Sequence, residues 1–511
     1  MKKWSSLYES CRLPIRIVVF GFVLLALGTL ILSENVNIFY TIDNTLIINL
    51  AHIFKEVGHV IIVNIPLIFL IGLVSKRANS GTPILLAIVG YFTFQVMMML
   101  VTPNDLSANA YYSVLGISYT SSVQTIFPMQ TGMVGSFIVA FLVRYAFLRS
   151  RRFSMYSLLG FANKDTAGLI YTIVFCALGG LLMSYVWPIA YEILEDVIIW
   201  IARDRSDPFH LFVYGLFDRV LSLLGMGEFI REPFWFGVEG GTYSTIASQT
   251  LVGDVAIWSQ MPEALTTFSG AGRFITPYYV LNMFAIPAAY FALYRTTSNR
   301  KARHKTIIFY FGAMLMSFVC GNPLIFELVL LFTAPLLLVF HLLASASLFG
   351  ILSLNNAFLG FNYSGSTISA MPGSFADFII NVRVSQFAHS LLVIVLVGII
   401  FAIIYFLATR AYFEFLAYDM VSTNKAESLS RKMIEACGGE RNIADTISTP
   451  FVLEIKLYDL ELVSYDKIKS LAVKKVTETK DGLEFSMGSP STIIRKRINK
   501  ILSSERRPIH D

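Results

Sequence analysis

Ile17-Val18-Val19-Phe20-Gly21-Phe22-Val23-Leu24-Leu25-Ala26-Leu27-Gly28-Thr29-Leu30-Ile31-Leu32-Ser33 holds no charge and is almost wholly apolar. Crossing the hydrocarbon core of a bilayer takes roughly 20 helical residues, and this run is close to that length. Further apolar stretches begin near Val60, Pro83, Gly132, Ala167, Phe274, Ile307 and Leu391. The 511 residues are 55% apolar and only 14% charged, with a mean hydropathy of +0.64. Soluble domains carry about 25% charged residues. The pattern predicts a polytopic helical membrane protein, because a spanning segment in hydrocarbon must satisfy its own backbone polar groups and a helix does so.

The formal net charge of +6 does not point to nucleic acid. Basic residues fall between the apolar runs: Lys2 and Lys3, Lys76 and Arg77, Arg149 to Arg152, Arg295 to Lys305. That is the bias of cytoplasmic loops, and it places the N-terminus inside. Arg12 and Arg16 precede a long apolar run without a small-residue cleavage site, so the first span reads as retained rather than as a signal peptide. Cys11, Cys176, Cys320 and Cys437 show no paired spacing. This fits a reduced compartment and argues against a metal centre or a disulfide framework. No cofactor is expected.

Composition changes near Arg410. Residues 411–511 hold 16 Lys/Arg and 15 Asp/Glu in 101 positions, the composition of a water-soluble domain. Lys425–Ser430 reads as a polar linker. Arg431–Ala436 reads as a helix ending at Gly438-Gly439. Phe451–Tyr458 reads as a strand. Val473–Thr479 and Leu483–Met487, around Lys480-Asp481-Gly482, read as a hairpin. Ser491–Leu502 sets Ile493, Ile494, Ile498 and Leu502 on one helical face. Its Arg495 to Arg497 read as a solvated face. The expected organisation is a membrane domain over 1–415, a linker over 416–430, a small α/β domain over 431–504 and a tail over 505–511.

Two stretches interrupt the spans, Arg203–Arg273 and Gly321–Glu327. Irregular backbone at membrane depth is tolerated where protein buries it or a cavity is lined. Glu327 is a candidate site residue on that ground, since a carboxylate within a span is costly. The alternative is a loop-end glutamate in water.

These residues resemble the glucose-superfamily sugar permeases of the phosphotransferase system, in which a membrane IIC domain precedes a IIB domain. Asn64-Ile65-Pro66-Leu67-Ile68-Phe69 is similar to the family's Asn-Leu-Pro-Leu-Leu-Phe segment. Gly272-Arg273-Phe274 and Met283 to Ala289 resemble its Phe-Met…Met-Phe-Gly-Leu-Pro-Ala-Ala stretch. Phe332 to Leu337 with His341 resembles Phe-Val-Ala-Pro-Leu-Leu…His. Leu359-Gly360-Phe361 with Ser364-Gly365 fits its Gly-Phe-x-x-Ser-Gly hairpin. The resemblance implies about ten membrane-spanning helices of bilayer length. It also implies a homodimer in a bacterial cytoplasmic membrane, both termini in the cytoplasm, a carbohydrate substrate, and phosphocarrier or IIA/IIB proteins as partners.

The departures fall on the chemistry. The family's sugar-site motif is Asn-Arg followed by Gly-Leu-His-His. Here it is Asp218-Arg219 followed by Gly225-Met226-Gly227-Glu228, so the arginine stays and Gly227 and Glu228 replace both histidines. The family's Thr-Glu-Pro-Ile-Glu-Phe becomes Gly321-Asn322-Pro323-Leu324-Ile325-Phe326-Glu327. Aligned backwards from Pro335, the second glutamate matches Glu327 and the first becomes Leu324. Aligned on the proline, the first becomes Asn322. In the tail, Met433 to Gly439, Asn442-Ile443, Asp459, Ile468 to Leu471 and Gly488 continue the match. The phospho-accepting Cys-Ile-Thr-Arg-Leu-Arg segment falls on Thr449-Pro450-Phe451-Val452-Leu453-Glu454.

A thiolate accepts phosphate near neutral pH, whereas a threonine hydroxyl stays un-ionised and needs a base of its own. The lost arginines, at Val452 and Glu454, would have gripped the phosphoryl oxygens. The resemblance therefore implies no catalytic residue at Thr449. It implies substrate-binding candidates at Arg219, Glu228, Asn322 and Glu327. These residues either line a ligand cavity, form buried structural pairs, or face solvent. Three functions stand open: a sugar permease, served or not by a separate IIB; a catalytically silent membrane sensor or regulator; and a non-phosphorylating transporter of a small polar solute.

Overall fold

Apolar runs become helices because only a helix closes its backbone hydrogen bonds within one segment. The computed structural model describes residues 2–32, 44–75, 81–101, 119–120, 125–126, 129–152, 164–244, 250–260, 270–297, 300–361, 372–382, 384–416, 423–471, 473 and 475–505. Ser364-Gly365, Lys76-Arg77 and residues 506–511, each singled out by the sequence, lie outside them.

In chain order the N-terminal helices are α1 (Lys2–Leu32), α2 (Thr45–Val63), α3 (Ile65–Ser75) and α4 (Thr82–Val101). A short strand pair, β1 (Tyr119–Thr120) with β2 (Thr125–Ile126), precedes α5 (Gly132–Ser150), α6 (Lys164–Arg203), α7 (Pro208–Leu223) and α8 (Glu228–Trp235). An antiparallel pair, β3 (Thr242–Ser244) with β4 (Thr250–Val252), leads into α9 (Asp254–Ser259). Then come α10 (Thr276–Val280), a π-helical turn Leu281–Ala285, α11 (Ile286–Thr296), α12 (Arg300–Cys320), α13 (Leu324–Thr333), α14 (Pro335–Leu354), α15 (Phe375–Val382) and α16 (Ala388–Ala411). Seven described helical stretches are long and apolar enough to cross a membrane, and Ile65–Ser75 and Tyr310–Val319 are shorter apolar ones. The protein is a multi-pass membrane protein by this measure.

Two expected spans are broken rather than continuous. The run begun near Val60 divides at Asn64, where Pro66 has no N–H to extend the ladder. Asn64 repairs the end of α2, its backbone and side-chain nitrogens both donating to Val60 O, at 3.2 and 2.8 Å. The run begun at Phe274 passes through the π turn just before Pro287, the usual way a helix absorbs a local mismatch.

The chain divides into two compact units. One comprises Leu7–Pro277 and Leu342–Val393. In it α4 packs along α6 and α5 around Phe94, Tyr91, Met98, Val139, Val143 and Cys176. Glycines let α1 and α2 touch backbone to backbone. A Cβ on Gly28 would fall 2.4 Å from Lys55 N, and one on Gly58 would fall 2.5 Å from Leu25 N. Close approach through small residues is how membrane helices gain packing where lipid removes the hydrophobic drive.

The other unit comprises Met1–Ser6, Tyr278–His341 and Ile394–Asp511. Within it, α11 packs on α12. Its C-terminal part holds α17 (Thr423–Ala436), β5 (Ile443–Ser448), β6 (Val452–Leu457), α18 (Tyr465–Ser470), β7 (Lys475–Thr479), β8 (Gly482–Ser486) and α19 (Ser491–Glu505). The four strands form an antiparallel sheet in the order β5-β6-β8-β7. Leu453, Ile455, Leu483 and Phe485 on one sheet face meet Met433, Ile434, Ile494 and Ile498 from the helices. The strand, hairpin and final helix lie where the sequence puts them. The linker does not: Lys425–Ser430 sits inside α17, which starts at Thr423. Ala426, Ser430, Met433 and Ile434 are its buried stripe, with Cys437 buried just past its end, while Ser428 is exposed and Glu427 half-buried.

The α1–α2 crossing is tested by Gly58→Val. The added carbons overpack a backbone contact, and a loss on the order of 2 kcal/mol is expected. It should be read as a lower thermal midpoint of the detergent-solubilised protein, with Gly81→Val, which meets nothing within 4 Å, unchanged.

Candidate functional site

Helix α7 begins with a strong stop signal for the preceding chain. Asp207 caps it, accepting from Phe209 N at 3.1 Å and His210 N at 3.0 Å, with Pro208 at the first turn. Leu211, Tyr214, Gly215, Asp218 and Ser222 recur every three or four residues and form the buried face. This periodicity puts Asp218 inside, with no exposed surface.

The chain then reverses through Gly225, at φ +69, and Met226 N donates back to Leu221 O at 2.8 Å. The reversal brings α8 alongside α7. Arg219 donates Nε and Nη2 to Asp218 Oδ2 at 2.9 and 2.6 Å. Arg231 donates Nε to Asp218 Oδ1 at 2.7 Å and Nη2 to Ser222 Oγ at 2.7 Å. Ser222 Oγ in turn donates to Asp218 O at 2.6 Å. Arg219 is 1% exposed, so one buried carboxylate holds two guanidiniums.

Gly227 belongs to this network by what it lacks. A Cβ there would lie 2.5 Å from Ser222 Oγ and 3.4 Å from Arg231 Cζ. Glu228, the first residue of α8, is half-buried at the helix N-terminus, where a carboxylate is favoured. The sequence singled out Arg219 and noted Asp218 only as a departure. Arg231 was missed, because its partner lies 13 residues away across a turn.

The other two candidates lie in the second unit. The backbone between α12 and α13 breaks at Gly321, φ +63. Asn322 is half-buried and its Oδ1 accepts from Leu324 N at 2.9 Å, so its oxygen serves to start α13. Glu327 is fully buried, not a loop-end residue in water. A second break at Ala334-Pro335 turns α14 back, and His341 Nε2 lies 3.2 Å from Glu327 Oε1. Tyr405 Oη, on α16, lies 3.0 Å from His341 Nδ1. Glu327, His341 and Tyr405 are all at or below 1% exposure. The pattern that pairs both imidazole nitrogens has Tyr405 O–H donating to Nδ1 and Nε2–H donating to Glu327 Oε1, while Glu327 Oε2 is buried and takes no hydrogen bond among the described residues. Phe326 packs edge-on against the imidazole.

In the tail, Thr449 sits in the β5–β6 turn. Its Oγ1 accepts from Val452 N at 3.0 Å and Phe451 N at 3.4 Å, while its N–H donates to Val452 O at 2.8 Å. Ser491 Oγ donates to its carbonyl. Glu454 stands directly across from Glu484 on β8, so the adjacent strand face carries paired negative charge. Cys437 is fully buried and burial pushes its thiol up to about 12, which removes it as a phosphate acceptor.

Residues 9–346 match the family described as phosphotransferase system, EIIC. The chain belongs to that family. A solved structure similar to this EIIC protein is that of the transporter ChbC, the IIC component from the N,N'-diacetylchitobiose-specific phosphotransferase system. The two are 11% identical, with a TM-score of 0.30, over 81% of this chain and 94% of that one. The family match ends before α15, so the C-terminal α/β part lies outside it.

Asp218→Asn leaves two guanidiniums around a neutral amide. Breaking a buried pair from one side costs about 3–5 kcal/mol, and a matching drop in thermal or denaturant stability is expected, with Asp218→Glu milder. For Cys437, iodoacetamide at about pH 8 should leave the folded protein unlabelled at this residue and label it after denaturation, as read by peptide mass.

Proposed function

We propose that this EIIC protein is a sugar permease of the phosphotransferase type that moves a carbohydrate across a bacterial cytoplasmic membrane, and that it does not relay phosphate through its own C-terminal domain. That domain is a IIB-like fold, with the antiparallel sheet and helical layer such a carrier needs. The observation that carries the reading is the state of Thr449. Its hydroxyl oxygen accepts two backbone N–H groups and closes a turn. A hydroxyl so engaged is a poor nucleophile, and the strand that follows carries Glu454, opposite Glu484, where the resemblance puts a phosphate-gripping arginine.

The membrane part keeps polar groups suited to a polyhydroxylated solute. Glu228 is a half-exposed acceptor, and Arg219, Asn322 and Glu327 remain candidates for solute contact. Arg219 reaches a solute only by sharing its guanidinium with Asp218. Both termini are proposed to be cytoplasmic, the protein a homodimer, and a separate IIA or IIB protein its phosphate source if transport is coupled to phosphorylation. A second reading, a silent sensor or regulator that docks phosphotransferase partners, is favoured by one feature. The tail retains a complete hydrophobic core although its acceptor position is threonine.

The test uses the purified full chain with phosphoenolpyruvate, the general phosphocarriers and candidate IIA proteins, read by intact mass, with a cysteine-bearing IIB domain as control. The expected result is a labelled control and an unlabelled chain. An adduct at Thr449 would sink the reading. Proteoliposome uptake separates permease from regulator: saturable entry of a sugar supports the first, and none across a sugar panel supports the second.

A further inference from the structure

A polar cavity of about 340 Å³ lies within the unit of Leu7–Pro277 and Leu342–Val393. Its wall carries Arg203, Arg205 and Arg273 against Asp204 and Asp254. Both aspartates take backbone N–H groups, and both also act on Arg273 through their charge. Asp204 Oδ1 accepts from Ser206 N at 3.0 Å and Asp207 N at 3.2 Å, shaping the turn into α7. Asp254 is 2% exposed and takes Gly272 N–H at 3.0 Å from each oxygen. Burial pushes its carboxyl up to about 7, against the pull of Gly272 N–H, Arg273 and Arg205. At neutral pH it therefore offsets only part of the arginine charge. Among the described residues neither Arg203 nor Arg205 forms an ion pair. Arg205 Nη1 has only a long contact, 3.5 Å, to Glu239 O.

The cationic wall is built, not draped. Arg273 donates Nε to Gly270 O at 2.7 Å and Nη1 to Arg205 O and, at 3.2 Å, to Ser206 Oγ, and it lies over the Phe358 ring at 5.5 Å. Two glycines make room for the guanidiniums. A Cβ on Gly270 would fall 1.4 Å from Arg273 Nη2, and one on Gly241 would fall 2.8 Å from Arg205 Nη1. Both sit at positive φ, +103 and +124, where a side chain is strained.

The plain reading is a loop junction tied by arginine-to-carbonyl bonds. It accounts for Arg273. It does not account for Arg203 and Arg205, which line the same space and, among the described residues, have no carboxylate oxygen at ion-pair distance. We propose that this cavity binds a small phosphate-bearing oxyanion through Arg203, Arg205 and Arg273. The planar guanidinium matches phosphate oxygens in pairs, and a partly desolvated cation gains most from a ligand that brings its own negative charge. The volume sits near the lower end of small-molecule pockets, roughly 300–1,000 Å³, enough for a phosphate with a small attached group. Such a phosphate comes either from a free phosphate ester or from a phospholipid headgroup. The site shares no residue with the Asp218 network and does not rest on the transport reading.

The full chain in phosphate-free maltoside micelles is titrated calorimetrically with inorganic phosphate and with glucose 6-phosphate, against sodium chloride at equal ionic strength. Saturable binding above chloride is expected, weakened about tenfold or more in Arg205→Gln and in Arg203→Gln, with Arg205→Lys intermediate because it keeps charge and loses the fork. Arg203 is exposed, so its variant should keep the wild-type thermal midpoint and stay informative if Arg205→Gln folds poorly. The same titration in nanodiscs rich in phosphatidylglycerol separates the sources. Unchanged affinity marks a free ester, and lost affinity with lipid co-purifying less with Arg203→Gln marks a headgroup. No binding above chloride, or equal binding by wild type and both glutamine variants, overturns the proposal.

Discussion

Asp218 holds a carboxyl group at zero exposure, and a charge taken from water must be matched where it lands. Arg219 and Arg231 do the matching, one from the next residue and one from the following helix. Much of the local architecture answers to that need. The turn at Gly225 has to bring α8 back far enough for Arg231 to reach, Ser222 has to be small and polar, and position 227 has to be empty of side chain. One buried carboxylate thus ties both arginines to it.

The same rule, applied to backbone rather than to charge, explains where the helices break. Pro66, Pro287, Pro323 and Pro335 each stand at or beside an interruption, and near two of them an asparagine side chain adds a bond to the helix end. Asn64 answers Val60 O, and Asn322 answers Leu324 N. The breaks around α13 also turn Glu327 toward His341 and Tyr405. Three buried polar side chains then form one hydrogen-bonded chain, Tyr405 to His341 to Glu327, which leaves Glu327 Oε2 without a hydrogen bond among the described residues.

The sequence made the broad plan legible because hydropathy is local. Ile17–Ser33 reads as a span whatever surrounds it, and Lys480-Asp481-Gly482 reads as a hairpin turn from two residues and a glycine. Misreadings arose where a pattern was two-faced or a partner was distant. Lys425–Ser430 showed its polar outer face, and its inner stripe consisted of the small residues Ala426 and Ser430. Arg231 carried no motif of its own. His341 served only as the end of a family segment, yet it is the group that receives Glu327. The cavity arginines were visible as residues and invisible as a cluster, because Arg205 and Arg273 are far apart in sequence and meet through loops.

Position 227 shows how a missing side chain can be part of a network. A Cβ there would fall 2.5 Å from Ser222 Oγ, the hydroxyl that takes Arg231 Nη2 and donates to Asp218 O. Any side chain at this position meets the network at its smallest member. The bare backbone at Gly227 and the pair of arginines on Asp218 are therefore one constraint rather than two.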